Sequence, residues 1–397
     1  MRILKVNGNK ELKDLMRSIK VDPYGIRIMM PKAASHLIKI DSISNIAANI
    51  LKQEMLSLGA DAAIARDALT GKSRQSDCLL IGNLSQLRAL SLKLARQPFG
   101  LNKLAGDLSV LLKRYGAESF IIDLGKYKLR LNKKHTYVMG VINITPDSFS
   151  GDGLYYSPLE RIIDIAVNMV ENGADILDIG GESTRPGSRP VSVKEELKRT
   201  LPVIKSLVRK VNVPVSIDTY KIEVARHALD NGASMVNDIT GLKDPQMARL
   251  LNRYKAGVVI MHMRGNPLNM QDNPVYSCVT AQIMEYLDRS MTRAESLGVS
   301  RQRMIVDPGI GFGKSTEDNL KVLKHLEEFK ALGRPLLVGT SRKSFIGKIL
   351  NLRPQERISG TVASCCAAAL NGANIVRVHD VKQVSEALKV VERINNS

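Results

Sequence analysis

From Thr136 onward the hydrophobic and polar positions of the chain repeat one rhythm. A short β-rich run ends in a polar residue, a glycine-containing loop follows, and an amphipathic helix leads to the next run. The runs are Tyr137–Asn143, Asp175–Gly180, Val213–Asp218, Ser234–Ile239, Val258–His262, Met304–Asp307, Leu336–Gly339 and Asn374–His379. Eight such units in about 260 residues predict a (β/α)8 TIM barrel of the α/β class. An open doubly wound sheet is the rival architecture. Its first βα loop usually carries G-x-G-x-x-G, and the first loop here does not.

Helix ends support the same reading. Ser157-Pro158-x-Glu160 and Ser192-x-x-Glu195 read as capping boxes, the first with Pro at the first helical position. Asp244-Pro245 reads as an N-cap followed by Pro. Three helices end in one phrase before a strand: Asn172-Gly173-Ala174, Asn231-Gly232-Ala233 and Asn371-Gly372-Ala373. Glycine there takes the left-handed conformation that stops a helix. The recurrence is a weak internal repeat, as repeated βα units require.

Ahead of the barrel, Phe120–Asp123 and Lys126–Leu131 flank Leu124-Gly125 and predict a β-hairpin, expected under the barrel floor. Residues 1–116 read as a separate small α/β domain, and 117–397 as the catalytic barrel. The first region shows helical patterns at Lys10–Ile19, Ser42–Leu58 and Leu104–Tyr115 and a strand at Cys78–Ile81. Its acidic and histidine residues are scattered. His36 reads as a surface or core histidine rather than a ligand.

Charge and composition narrow the function classes. The net charge is +19; residues 1–116 hold 19 Lys/Arg against 9 Asp/Glu, so over half of the excess lies in under a third of the chain. No block of five basic residues occurs. The basic positions alternate with apolar helical ones, which describes a solvated surface better than a nucleic-acid site. No apolar run approaches the roughly 18 residues that span a bilayer. The start, Met1-Arg2-Ile3-Leu4-Lys5, shows no signal-peptide core. The cysteines Cys78, Cys278, Cys365 and Cys366 lack C-x2-C spacing, so a reduced, cytoplasmic chain without a zinc site is expected.

The chemistry lies at the strand ends, where barrels of this kind carry it. They supply Asn143, Asp178, Asp218, Asn237, His262, Asp307, Arg377 and His379. Any one could be a helix cap. Eight on one face point at a ligand, because buried carboxylates and amides are costly without partners. Three carboxylates and two carboxamides suit a polar heterocycle with an amidine-like edge. Arg377, His379, Lys343 and Arg342 suit phosphate or pyrophosphate. An Asn with nearby carboxylates suits Mg2+, which takes few protein ligands. The run Gly309–Ser315 looks like a Walker A loop, but Gly309 and Gly313 are separated by one residue too few. It reads as a glycine-rich loop allowing close backbone approach to a ligand.

Met139-Gly-Val-Ile-Asn143-Ile-Thr-Pro146-Asp147-Ser-Phe149-Ser resembles the first signature of the dihydropteroate synthases, and Asp178-Ile-Gly-Gly-Glu-Ser-Thr184-Arg185-Pro186-Gly187 resembles the second. Further matches are Ser216-Ile-Asp218-Thr, Val236-Asn237-Asp238-Ile, Met261-His262-Met263, Asp307-Pro-Gly, Thr340-Ser-Arg-Lys343-Ser344 and Arg377-Val-His379-Asp380. The resemblance covers residues 118–397. It implies a transferase that joins 6-hydroxymethyl-7,8-dihydropterin pyrophosphate to 4-aminobenzoate. The pterin would be held by Asp218, Asn237, Asp307 and Lys343. Asn143, Arg377 and His379 would meet the pyrophosphate, with Mg2+ at Asn143. The 4-aminobenzoate would lie against Phe149, Thr184, Pro186 and Ser344, with Arg185 shaping the site. The resemblance also implies a homodimer whose partners are small-molecule substrates. It assigns nothing to residues 1–116.

One position departs from the family's pattern. The first loop reads Ser148-Phe149-Ser150-Gly151-Asp152-Gly153, with its acidic residue shifted by one, which puts the pairing role of Asp152 in doubt. Alternatives are a synthase using a variant arylamine, as in methanopterin-type pathways, and a pterin-dependent methyltransferase, which needs no pyrophosphate site. A non-catalytic relic with a partner-binding N-terminal region is a third; it would show broken site positions, and none is broken here.

Overall fold

The computed structural model describes all of the chain except residues 5, 7, 71–73, 133, 147–152, 184–187, 267–268 and 271–273. Two units follow one another, Met1–Gly116 and Ala117–Ser397.

In the first unit β1 (Ser35–Ser44), β2 (Asp61–Ile64) and β3 (Gln75–Asn83) form an antiparallel sheet in the order β1-β3-β2. Helices Asn45–Ser57, Leu84–Leu94 and Leu101–Tyr115 contribute Leu51, Met55, Leu87, Leu90, Leu94 and Leu101 to a core that also takes Leu80 and Cys78 of β3. The helix expected from Ser42 starts instead at Asn45, where Ser44 accepts a hydrogen bond from the Ala47 amide. The residues before it extend β1. That strand is hard to read because Ser42 takes a left-handed φ of 57° and the pairing register shifts between Ile40 and Ile43, which breaks the alternation.

In the second unit β4 (Ser119–Asp123) and β5 (Lys128–Asn132) form the hairpin. Eight parallel strands follow: β6 (Tyr137–Asn143), β7 (Ile176–Gly180), β8 (Val215–Asp218), β9 (Met235–Asp238), β10 (Gly257–Met261), β11 (Met304–Asp307), β12 (Leu337–Val338) and β13 (Ile375–Val378). Their order is β11-β10-β9-β8-β7-β6-β13-β12, and a parallel bridge from Val306 to Leu336 closes the ring, so the (β/α)8 barrel is present. β12 is shorter than its sequence pattern predicts. Its ladder stops at Leu336, whose amide is taken by the Asn374 side chain at 2.9 Å.

Side chains alternate across each barrel strand. Outward residues such as Leu177, Ile179, Ile217, Val236 and Val258 join the helices in the large outer core. Inward Met139, Ile176, Met235, Val259, Ile305, Leu337 and Ile375 pack with Ile122, Leu124, Leu129 and Leu131 of the hairpin. The hairpin therefore plugs the floor. Gly257 at the start of β10 makes room for it: a Cβ there would lie 2.4 Å from the Leu124 side chain.

The helix ends follow most of the expected chemistry. Gly173, Gly232 and Gly372 have φ of 102°, 97° and 101°. Asp244 caps the helix Pro245–Tyr254 through the Gln246 amide. Two details differ. The helix after Ser157 begins at Leu159 with Pro158 as its N-cap, and no side chain caps it. Ser192 accepts from the Glu195 amide, but the Glu195 carboxylate pairs with Arg199 at 2.9 Å instead of reaching back.

Leu131 is fully buried between hairpin and floor. Leu131→Ala should cost about 2–5 kcal/mol, the usual range for a buried Leu-to-Ala change. Urea unfolding of the two proteins checks this: a lowered midpoint with unchanged slope is expected, and an unmoved midpoint would show that the hairpin does not brace the barrel.

Candidate functional site

The alternation that builds the floor also builds the site. Two residues after each inward apolar floor residue, four strands place a polar one. Ile176 is followed by Asp178, Met235 by Asn237, Ile305 by Asp307 and Ile375 by Arg377. β8 adds Ser216 and Asp218, and β6 ends at Asn143. A polar layer thus lies directly on an apolar one inside the ring.

Arg377 joins this layer. Its Nε donates to Asp178 Oδ2 at 2.7 Å, and its Nη2 donates to Asp218 Oδ2 at 2.6 Å. Asn237 Nδ2 donates to the same Asp178 oxygen at 3.0 Å. Asp178 Oδ1, Asp218 Oδ1, Asn237 Oδ1 and Ser216 Oγ are buried and have no hydrogen-bond partner among the described residues. Each such atom costs on the order of 1–3 kcal/mol. Four together, converging above a packed floor, mark where a ligand rich in N–H groups would bind. Burial pushes the Asp218 carboxyl up to about 7, against the pull of Arg377 and with the help of neighbouring Asp178. Burial also works against the Arg377 charge, but Asp178 and Asp218 overcome it and hold the guanidinium cationic, so Asp218 is the member of this ion pair that titrates.

Across the ring, Asp307 Oδ1 accepts from the Gly309 amide at 2.7 Å, and burial raises its carboxyl above the ordinary range. Lys343 donates to the Ile310 carbonyl, and its ammonium lies 4.8 Å from the centre of the Phe312 ring. Burial lowers Lys343 to about 8, with Asp307 opposing. His262 Nδ1 lies 3.0 Å from the Nζ of Lys314. Burial first, and Lys314 second, push this imidazole down to about 2, so it is neutral and accepts at Nδ1.

On the β6–β13 side, Asn143 Nδ2 lies 3.1 Å from His379 Nε2, and Ser341 Oγ lies 3.0 Å from His379 Nδ1. With the amide nitrogen turned to His379, the Asn143 carbonyl oxygen is the remaining acceptor of that side chain. A hard oxygen of this kind fits Mg2+, which completes its shell with water and phosphate. Among the described residues no group of three or more His, Cys, Asp or Glu is arranged as a metal cage.

The structure brings Asp218 into direct contact with Arg377, links Asn237 to Arg377 through Asp178, sets Asp307 and Lys343 about the glycine-rich loop, and joins Asn143 to His379. Ser344 is the exposed first residue of the helix Ser344–Leu350. Arg342 forms a two-pronged pair with Asp380, its Nε at 2.9 Å. Phe149, Thr184, Arg185 and Pro186, with Asp147 and Asp152, lie outside the described residues. Sequence reasoning places Asp178 among the strand-end carboxylates that face a ligand without giving it a contact of its own, and it assigns no part to Ser216, Ser341 or Lys314. The period-two step from floor to site sets Asp178 in the same layer as Asn237, Asp307 and Arg377. Nothing in the pattern marks a lysine at the end of a loop as buried.

The sequence profile described as "Pterin binding enzyme" matches residues 139–379. The dihydropteroate synthase of Synechocystis sp. is 49% identical over 263 residues, 66% of this chain and 91% of that one. A probable bifunctional folylpolyglutamate synthase/dihydropteroate synthase of Halobacterium salinarum is 39% identical over 391 residues, 98% of this chain and 46% of that one, so its likeness extends into the first unit. Among solved structures, Xanthomonas albilineans dihydropteroate synthase with 4-aminobenzoic acid superposes with a TM-score of 0.64 at 41% identity, covering 70% of this chain and 99% of that one.

The Asp218 carboxyl gives the site a pH signature. Between its ordinary value of 3.8 and about 7 the folded protein keeps a proton that the unfolded chain releases. Its contribution to stability is therefore complete below the lower value and lost as pH rises through the upper one. Asp218→Asn should raise the urea midpoint relative to wild type more at pH 8 than at pH 5. Equal shifts at both would show that Asp218 does not titrate in this window.

Proposed function

The chain belongs to the pterin-binding enzyme family and within it to the dihydropteroate synthases, and from that membership we propose how its residues divide the reaction. The enzyme condenses 6-hydroxymethyl-7,8-dihydropterin pyrophosphate with 4-aminobenzoate, giving 7,8-dihydropteroate and pyrophosphate. The observation that carries our division of labour is the set of unpartnered buried atoms on Asp178, Ser216, Asp218 and Asn237.

Asp218 and Asn237 receive the polar edge of the pterin at those free oxygens. Asp307 and Lys343 hold it from the opposite strands. Asn143, Arg377 and His379 take the pyrophosphate. Phe149, Thr184, Pro186 and Ser344 flank the 4-aminobenzoate, with Arg185 beside them. Arg377 belongs to both halves, because the guanidinium that touches Asp218 also presents positive charge toward a leaving phosphate.

The arylamine is neutral at pH 7, so its nitrogen needs no strong base before attack. The new bond joins that nitrogen to the pterin methylene carbon. The bond that breaks joins the carbon to the pyrophosphate oxygen, and the amine proton leaves afterwards. Departure of a highly charged group is the difficult part. Arg377 stabilises that charge as it develops, and Asp218 and Asp307 favour positive charge on the pterin if the carbon–oxygen bond opens early. Asn143 would hold Mg2+, which supplies further neutralisation of the pyrophosphate when bound.

Two broader expectations belong to the same reading. The enzyme works in the cytoplasm; among the described residues no helix is long and apolar enough to cross a membrane. It pairs as a homodimer, supported by Leu370, Val390 and Ile394, which are exposed on the helices Ile358–Leu370 and Val381–Asn396.

A pyrophosphate-release assay with product mass identification tests the function. Dihydropteroate is expected only when both substrates and Mg2+ are present; no product from folded protein, with any of a panel of arylamines, would overturn the reading. Asp218→Ala should lower kcat/KM at least about tenfold, and a loss below about threefold, under ~1 kcal/mol, would remove Asp218 from the machinery. Asn143→Ala should raise the Mg2+ concentration needed for half-maximal rate while leaving pterin affinity unchanged. An unshifted Mg2+ dependence would place the metal elsewhere.

A further inference from the structure

Lys314 is among the largest fully buried side chains of the protein, with 2% of its surface exposed. Its Nζ donates to the Gly309 carbonyl at 2.8 Å and the Phe312 carbonyl at 3.0 Å, and meets His262 Nδ1 at 3.0 Å. None of these partners is a carboxylate, and His262 is itself kept neutral. Burial lowers this amine to about 7, with the charge of Asp307 opposing, and a buried lysine bonded only to neutral acceptors is an expensive device for holding a turn.

The turn it holds is an unusual one. Gly309 and Gly313 have φ of 67° and 62°, and a Cβ on either would fall 1.9 Å from the His262 carbonyl oxygen or 2.6 Å from that of Arg264. The turn is thus pressed against the chain that follows β10, and its Gly309 and Phe312 carbonyls face the lysine head. Every residue of the turn is fixed to something else. The Gly309 amide bonds Asp307, the Gly311 amide bonds Asn319 at 2.7 Å, and Tyr276 donates to the Gly313 carbonyl at 2.7 Å. The Ile310 carbonyl accepts from Lys343, whose ammonium stands over the Phe312 ring. The turn is the seat on which Lys343 rests.

We propose that Lys314 is a positioning residue for pterin binding: from beneath the Gly309–Gly313 turn it sets the Ile310 carbonyl and the Phe312 ring, which together aim Lys343 beside Asp307. The proposal rests on the reading that Lys343 and Asp307 face the pterin. It does not involve the pyrophosphate side, where Asn143, Arg377 and His379 come from β6 and the end of β13. Lys314 touches neither substrate.

That separation gives the test. Lys314→Met keeps the length of the side chain and removes its donors; Lys314→Gln keeps a donor at shorter reach. Fluorescence titration with 6-hydroxymethylpterin, and pyrophosphate product inhibition, are measured on full-length wild type and both variants. Lys314→Met should weaken pterin binding at least about tenfold with the inhibition constant of pyrophosphate within about threefold, and Lys314→Gln should recover part of the loss. Equal weakening of both ligands, unchanged pterin affinity, or failure of both variants to fold by near-ultraviolet circular dichroism would each overturn the proposal in favour of a purely structural lysine. Wild type that binds no pterin would instead sink the reading of the site on which the proposal stands.

Discussion

The interior of the second unit depends on one ion cluster, the guanidinium of Arg377 held between Asp178 and Asp218. Strands β7, β8 and β13 each deliver one member, and Asn237 of β9 ties itself to Asp178. Removing Arg377 would leave two buried carboxyls with no cation between them, which is far costlier than the net worth of the pairs. The cluster also uses only half of its acceptors. Asp178 and Asp218 each spend one oxygen on Arg377 and keep the other buried and unpaired. The folded chain therefore carries a local cost that a suitable ligand relieves, and binding specificity follows from which ligands can do so.

The apolar floor makes this possible. A polar layer open to water from below would hydrate, and its unpaired oxygens would cost little. The hairpin residues Ile122, Leu124, Leu129 and Leu131 seal that side, so the polar layer is dry underneath and reachable only from the other end. Stability and recognition thus occupy adjacent storeys of the same strands, separated by two residues of sequence.

Much of this was legible in the chain. The eight βα units, the hairpin and the strand-end polar residues all follow from periodicities of 2 and 3.6 and from glycine at helix ends. What escaped notice shares a cause. β1 is interrupted by a bulge at Ser42, β12 is cut short by a side-chain amide, and Pro158 acts as the cap where Ser157 was expected to. In each case one side-chain or backbone contact overrides a local pattern. The parts played by Asp178 and Lys314 are hidden for another reason. Their positions are plain, but only the three-dimensional contacts show that one organises two site residues and that the other lies buried under a turn.

The ring is not equally strong all the way round. Between β11 and β12 it is joined by the Val306–Leu336 bridge where other neighbours share ladders of up to five paired residues. Asp307 ends the strand on one side of that seam, and Lys343 follows the strand on the other. A molecule gripped by both therefore works as a stitch across the weakest join of the cylinder. Amide exchange in β12 becomes a direct gauge of whether that stitch is in place.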